Sequence, residues 1–168
     1  MGARWTEPIL DECFRAIRRQ RPEVPEAALA RTRSLMCAAV RDCLVTQFEG
    51  LVDGLHLPDP DDRHVLAAAI RAGAQVIVTR NLKDFPADRV GAFGVQAQDP
   101  DEFVLGLLTF ETAGILRIIA EQAADLRNPP RTVEELLSTL EASGLVRSVA
   151  AITALSSADI RAPNIETR

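Results

Sequence analysis

Two segments decide the fold of this chain: DPDDRHVLAAAI at residues 59–70 and QVIVTRNLKDFP at residues 75–86. The first predicts a helix, because Asp59 is a good N-cap residue, Pro60 suits the first turn, and Gly73 can end the helix. The second begins with the β-branched run at residues 76–78, which is typical of a strand buried on both faces of a parallel sheet. A helix that leads into a buried strand indicates α/β organisation.

The sequence on either side extends this pattern. Before the deciding segments we predict helices at 8–21 and 25–41, and after them a strand at 94–98 and a helix from about 99 to 108. From residue 110 onward only helical patterns follow, at 110–127, 132–142 and 145–155, with a loose tail after residue 156. The sequence therefore predicts an α/β domain over residues 1–108 and a helical extension over residues 109–168.

Composition narrows the classes of protein. Of the 168 residues 47% are hydrophobic, which is typical of a globular chain, and no apolar run approaches the ~20 residues that span a bilayer. The net charge of −5 disfavours a protein that coats duplex DNA. Three cysteines without a CxxC pair, Cys13, Cys37 and Cys43, are predicted to be buried free thiols in a reducing cytosol. We therefore expect a cytoplasmic protein.

Asp62 lies near the centre of the apolar stripe of its predicted helix. The apolar residues that follow it recur three, four, seven and eight positions later, at Val65, Leu66, Ala69 and Ile70. A carboxylate that faces the core from a helix N-terminus is costly unless its charge is compensated. The free backbone N–H groups of the helix could compensate it, and so could a metal ion. The spacing alone does not choose between a capping acid and a metal ligand.

Polar side chains also follow the predicted strand at 76–78. Thr79, Asn81 and Asp84 lie where ligands bind in open α/β sheets, although turn chemistry explains the same residue types and is the more frequent reason for them. In the first predicted helix, periodicity does not separate Asp11 from Glu12, and a solvated helix face is the usual place for such acids. His64 is predicted to face away from the apolar stripe.

Several carboxylates close together would favour a divalent cation. Two of them ~4 Å apart repel by about 4 kcal/mol at an effective dielectric constant of 20, so one would otherwise take up a proton. Mg²⁺ and Mn²⁺ prefer such oxygen ligands, and a bound cation can polarise a phosphodiester and activate water. The acids are therefore most useful when a metal is present.

The two deciding segments strongly resemble the second half of a PIN domain, the fold of VapC-like toxins and other metal-dependent ribonucleases. The sequence WTEPILDE at residues 5–12 is similar to the strand-to-helix step of that family, so the resemblance covers about residues 4–108. It implies a three-layer α/β/α fold with a central parallel sheet, followed by C-terminal helices. It further implies hydrolysis of RNA with Mg²⁺ or Mn²⁺, a cognate antitoxin as partner, and possible homodimers.

The resemblance also implies the roles of individual residues. Glu12 corresponds to the helical glutamate of the family and Asp62 to the aspartate before the alanine-rich helix. Asn81 and Asp84 stand in the region of the last acidic position, where Asp84 would act as a metal ligand. The implied catalytic and metal-binding residues are thus Glu12, Asp62 and Asp84, with Asp61, Thr79 and Asn81 as auxiliary residues.

One feature of the family has no counterpart in this sequence. PIN domains begin with a central strand that carries an aspartate, and nothing before Trp5 fits it. We therefore expect a sheet without its first strand and a metal site without its first acid, as a misassigned start or a truncated gene would produce. This favours, as an alternative, an inactive remnant that only binds a partner protein or RNA.

A receiver-like phosphoacceptor domain is a third hypothesis, since an aspartate with Thr79 and Lys83 is compatible with that chemistry. It is disfavoured because Asp62 opens a helix, whereas a phosphoacceptor aspartate should end a strand.

Overall fold

A computed structural model describes residues 2–127 and 129–159 of the chain. The chain divides into two units. The first runs to Ile77 and resumes over Asn81–Ala97, and the second comprises Val78–Arg80 and the described chain from Gln98 onward. The two units change over after Ile77, Arg80 and Ala97. The domain boundary predicted after residue 108 stays a prediction.

Helices dominate the chain up to residue 97. They are α1 (Glu7–Gln20), α2 (Glu26–Ala39), α3 (Glu49–Val52), α4 (Arg63–Ala72) and α5 (Ala87–Val90), with 3₁₀ turns at Pro60–Asp62, Leu82–Asp84 and Gly91–Phe93. The short helix α3 was not predicted, because four residues carry no measurable periodicity.

Local chemistry explains where α1 begins and where α4 ends. The hydroxyl of Thr6 caps α1 by accepting a hydrogen bond from the N–H of Ile9 at 3.2 Å, as expected of an N-cap threonine. Gly73 ends α4 with φ of 62°, a left-handed conformation that glycine adopts without steric cost. The alanines at 67–69 of α4 are buried beside Leu66 and Ile77, because small side chains let the helix pack closely.

The strands β1 (Val76–Val78) and β2 (Gln96–Gln98) pair in one two-stranded sheet. The N–H of Gln96 donates to the carbonyl of Gln75, and the N–H of Thr79 donates to that of Gln98, both at 2.9 Å. The residue numbers of the paired residues increase in the same direction along both strands, so the strands are parallel. The predicted α/β class is confirmed, although the described part of the chain is mostly helical.

Trp5 forms an isolated parallel bridge with Leu44. The backbone N–H of Trp5 donates to the carbonyl of Cys43 at 2.9 Å, and the carbonyl of Trp5 accepts from the backbone N–H of Val45 at 2.8 Å. Because α1 begins at Glu7, the chain passes directly from a strand-like residue into a helix.

The second unit contains a group of apolar helices around a separate core. These are α6 (Pro100–Phe110), α7 (Thr112–Asp125), α8 (Val133–Ala142) and α9 (Val146–Asp159). Leu108, Ile119, Leu137 and Ile152 are among its buried residues. The predicted helices in this region are present, and α9 extends past the predicted end at residue 155. The remainder of the predicted loose tail, residues 160–168, lies outside the described residues.

The buried carboxylate of Asp101 links α6 to the start of α9. It accepts hydrogen bonds from the backbone N–H groups of Arg147 at 2.9 Å and Ser148 at 2.8 Å. Burial would raise the pKa of Asp101, but the hydrogen bonds from Ser148 and Arg147 outweigh it and hold this pKa below its ordinary value. The ionised carboxylate therefore caps α9.

The cysteines differ from their prediction. All three are free thiols, but only Cys43 is buried, while Cys37 is half-buried and Cys13 is exposed. Cys13 lies at the edge of the apolar stripe of α1, whose buried centre is formed by Leu10 and Phe14. Burial raises the pKa of the Cys43 thiol.

Within the described residues, no single helix is both long and apolar enough to cross a membrane. Together, α6 and α7 have the length and apolar composition of a membrane-spanning segment, but the chain bends by 118° between them.

Candidate metal centre

Asp59 and Asp62 lie at the two ends of the 3₁₀ turn that leads into α4. The carboxylate of Asp59 accepts the N–H of Asp61 at 2.9 Å, and its carbonyl accepts the N–H of Asp62 at 3.3 Å. This tight turn brings the two side chains to the same side of the helix N-terminus. Asp59, which the sequence identified only as a capping residue, thus has a second role as a member of the acidic group.

Asp84 reaches the same place from the segment that follows β1. It ends the 3₁₀ turn Leu82–Asp84 and is only 9% exposed. The side-chain amide of Asn81 donates a hydrogen bond to Oδ2 of Asp84 and lies 3.4 Å from Oδ2 of Asp62. Asn81 therefore connects the two segments that supply the acids.

The acidic cluster is formed by Asp59, Asp62 and Asp84. One carboxylate oxygen of each lies within 4.8 Å of the others. The pKa of Asp62 is raised, first by burial and then by the negative charges of Asp59 and Asp84; Glu12 adds a smaller effect in the same direction, and His64 an opposing one. The cluster thus holds more negative charge than its surroundings compensate.

The structure separates the two acids that periodicity left equivalent on α1. Asp11 forms an ion pair with Arg33 of α2 at 2.6 Å, and Arg33 also pairs with Glu7. Glu12 lies on the other side of α1, where its Oε1 is 3.4 Å from Nε2 of His64 on α4. Glu12 is outside the acidic cluster, although its charge reaches Asp62.

His64 is half-buried, although a residue that faces away from the apolar stripe of its helix would ordinarily be exposed. Its side chain is only 16% exposed, and both ring nitrogens are shielded from solvent. Periodicity along α4 pointed it away from the apolar stripe of that helix, but α1 covers this side. Sequence reasoning could not find the contact, because the partner belongs to another helix.

The remaining auxiliary residues are Asp61 and Thr79. Asp61 is exposed, and its backbone rather than its carboxylate contacts Asp59. Thr79 belongs to the second unit, where its N–H donates to the carbonyl of Gln98. The roles of all six candidate residues stay predictions.

The donor atoms fit a hard divalent cation. The three carboxylates supply only oxygen atoms, which are the ligands that Mg²⁺ and Mn²⁺ prefer. Zinc sites usually include a cysteine sulfur or a histidine nitrogen. Burial raises the pKa of Asp62 most, and the charges of Asp59 and Asp84 raise it further by a repulsion that a cation would remove. Asp59, Asp62 and Asp84 would hold the ion, and Glu12 is the nearby acid that could complete the set.

Comparison with known proteins shows which families the sequence of this chain is similar to. Residues 3–83 match the family model of the PIN domain, and residues 100–154 match that of the VapC50 C-terminal domain. Over 79 residues the chain is 42% identical to a protein of Mycobacterium tuberculosis (strain ATCC 25618 / H37Rv) named "Putative ribonuclease VapC50". The match covers 47% of this chain and 47% of that relative, so it spans about half the length of each. No solved structure matches the chain.

These matches show what the two parts of the chain are similar to. The match to the PIN-domain model includes Glu12, Asp59 and Asp62 and ends at residue 83, one residue before Asp84. The helices α6, α7 and α8 and the first part of α9 fall in the region matched by the VapC50 C-terminal domain. The resemblance to the PIN-domain, VapC-like family that the sequence predicted is confirmed.

Proposed function

We propose that this chain is a metal-dependent endoribonuclease that hydrolyses RNA phosphodiester bonds as the toxin of a toxin–antitoxin pair. One observation carries the proposal: Asp59, Asp62 and Asp84 converge from two separate segments at the start of α4 and the end of β1. Convergence of acids that repel one another is costly without a cation. The PIN-domain match over residues 3–83, which include Asp59 and Asp62, and the similarity to a relative named as a ribonuclease support RNA as the substrate class.

Each residue of the centre has a proposed task. Asp59, Asp62 and Asp84 hold the cation, and Glu12 approaches from α1 to complete the acidic set. Asn81 keeps Asp62 and Asp84 at a fixed separation through its side-chain amide. A bound Mg²⁺ or Mn²⁺ would polarise the phosphodiester and supply an activated water as the nucleophile.

The charge of the chain agrees with a role for the cation in binding RNA. With a net charge of −5 the chain has no general excess of positive charge to attract a phosphate backbone. A divalent ion would neutralise two of the three negative charges of the acidic cluster and would offer the phosphate a cation to bind. We therefore expect affinity for RNA, as well as cleavage, to require the metal.

The partners follow from the resemblance of the sequence to VapC-like toxins. We expect an antitoxin protein to bind this chain in the cytoplasm and a homodimer to form. Co-expression of the protein with the product of the adjacent gene, followed by size-exclusion chromatography, measures both associations.

Cleavage of RNA is the direct test. The purified chain is incubated with total RNA in Mg²⁺, Mn²⁺ or EDTA, and fragments are mapped by sequencing their new ends. We expect cleavage with either cation, none in EDTA, and a loss of about 10²-fold or more in Asp62→Asn, since the loss of a ligand removes the cation.

Asp53→Asn is the matched control, because Asp53 is an exposed aspartate at the end of α3 and undergoes the same change of charge. Equal cleavage by the wild type and Asp62→Asn would point to a contaminating nuclease. Absence of cleavage by a folded protein would favour the inactive, partner-binding alternative.

A further inference from the structure

The half-buried side chain of His64 has an unusual environment for a polar group. Both of its ring nitrogens are shielded from water and form no hydrogen bond within the described parts of the chain, residues 2–127 and 129–159. A buried donor or acceptor without a partner is unfavourable, so such an arrangement calls for an explanation. Packing alone would be served better by an apolar side chain of similar size.

A partner for one ring nitrogen lies close by. Nε2 of His64 is 3.4 Å from Oε1 of Glu12, just beyond the range of an ordinary N–H···O hydrogen bond. The Glu12 side chain is 54% exposed, so it has room to rotate and close this gap. A neutral imidazole with its proton on Nε2 would donate to the carboxylate, which leaves the second oxygen of Glu12 available.

Glu12 is also the acid that most needs to be positioned. Asp59 and Asp62 share one turn, and Asp84 is connected to Asp62 through Asn81, but Glu12 comes from a different helix. His64 lies two positions after Asp62 along the chain, so the 3.4 Å separation between Glu12 and His64 places Glu12 near the start of α4. Without a contact across α1 and α4, a long and half-exposed glutamate would sample several rotamers.

We propose that His64 is a positioning residue that holds the Glu12 carboxylate beside the acidic cluster by donating a hydrogen bond from Nε2. The inference rests on the proposed function, because it assigns Glu12 to the metal centre. His64 itself touches neither the cation nor the substrate. Its effect on the cation passes through Glu12, in the way that residues behind a ligand orient that ligand.

Binding of Mn²⁺ to the full chain, followed by electron paramagnetic resonance without RNA, tests the inference as a double-mutant cycle. The variants are His64→Leu, Glu12→Gln and the two combined. We expect His64→Leu to weaken Mn²⁺ binding about tenfold, as is typical when the support of a ligand is removed. In the Glu12→Gln background the same change should have no further effect, since a residue that acts through Glu12 loses its influence when Glu12 is replaced.

A rescue variant separates positioning from packing. His64→Gln keeps an N–H donor of similar reach, so its Mn²⁺ affinity should stay within about threefold of the wild type. If His64→Leu does not fold, as judged by circular dichroism, His64→Asn takes its place, because its amide is too short to reach Glu12.

Equal and additive effects of the His64 changes in both backgrounds would overturn the inference and leave the proposed function intact. A folded wild type that binds no Mn²⁺ would overturn both.

Discussion

The side-chain amide of Asn81 donates to the carboxylate of Asp84, and through the same nitrogen Asn81 lies 3.4 Å from the carboxylate of Asp62. One N–H₂ group thus stands between two acids that come from segments about twenty residues apart in sequence. The amide keeps these carboxylates apart and partly compensates their charge when no cation is present.

Asn81→Asp should therefore change stability and metal affinity in opposite directions. A further carboxylate between Asp62 and Asp84 would repel both, so we expect the metal-free protein to lose roughly 1–2 kcal/mol of unfolding free energy. The added oxygen donor should increase the affinity for Mn²⁺ about tenfold.

Thermal unfolding with and without Mn²⁺, together with a direct Mn²⁺ titration, measures both effects of Asn81→Asp. A decrease in stability without a gain in metal affinity would contradict the position of Asn81 between the ligands. Asp53→Asn, which changes one charge at an exposed site in the opposite sense, should alter neither property.

Asp62→Asn should stabilise the protein in the absence of metal. The pKa of Asp62 is raised by burial and by the charges of Asp59 and Asp84, so the ionised carboxylate weakens the folded state at neutral pH. Removal of this charge should add on the order of 1 kcal/mol to the free energy of unfolding.

Mn²⁺ at a concentration one hundred times its dissociation constant should stabilise the wild type by about 2.7 kcal/mol. Asp62→Asn should lose this stabilisation. Urea unfolding with and without Mn²⁺ measures both quantities. If Asp62→Asn retains the full effect of Mn²⁺, the cation binds elsewhere.

Asp11 and Glu12 should differ sharply although they are adjacent and equally charged. Asp11 is paired with Arg33 at the surface, so Asp11→Asn should cost only about 0.2–1 kcal/mol of stability and leave Mn²⁺ affinity unchanged. Glu12→Gln should weaken Mn²⁺ binding by about tenfold or more, because the amide is a poorer ligand than the carboxylate. The two variants are matched controls for each other, and a reversed order of effects in the Mn²⁺ titration would refute the assignment.

Asp101 should make the stability of the second unit depend on pH. Its pKa is lowered in the folded protein, so its contribution to stability is present above the ordinary aspartate pKa of about 3.9 and is lost as the pH falls through the lower folded value. Asp101→Asn should cost about 1–3 kcal/mol at neutral pH and much less in acid, since it weakens the cap on α9.

Urea unfolding at neutral and acidic pH tests this dependence. Asp125→Asn, at an exposed position on α7, serves as the control and should behave like the wild type at both pH values. A difference between Asp101→Asn and the wild type that does not change with pH would show that the carboxylate charge is unimportant.

Local features of the fold were predictable from the sequence because they depend on residues close together along the chain. The helix predicted from Asp59 begins in the structure as the 3₁₀ turn Pro60–Asp62, which Asp59 caps, and continues as α4 to Gly73. The strand at 76–78 follows from its β-branched run. The prediction that Asp62 faces the apolar side of its helix used only the period of that helix, and Asp62 is half-buried in the structure. The PIN-domain resemblance arose from the same two segments and is confirmed by the family match.

Contacts between elements required the tertiary structure. The residues around Asp59 show a good N-cap, but only the return of the chain after β1 brings Asp84 within reach of it. Asp11 and Glu12 are equivalent by the period of α1, and the packing of α1 against α2 and α4 gives the first to Arg33 and the second to His64.

Periodicity reports which side of a helix is apolar, whereas the identity of the neighbour on each side depends on how the chain folds back. The local sequence was therefore sufficient to identify the acids as candidate oxygen ligands. Their arrangement into one cluster, with His64 behind Glu12, was decided by packing between segments that are distant along the chain.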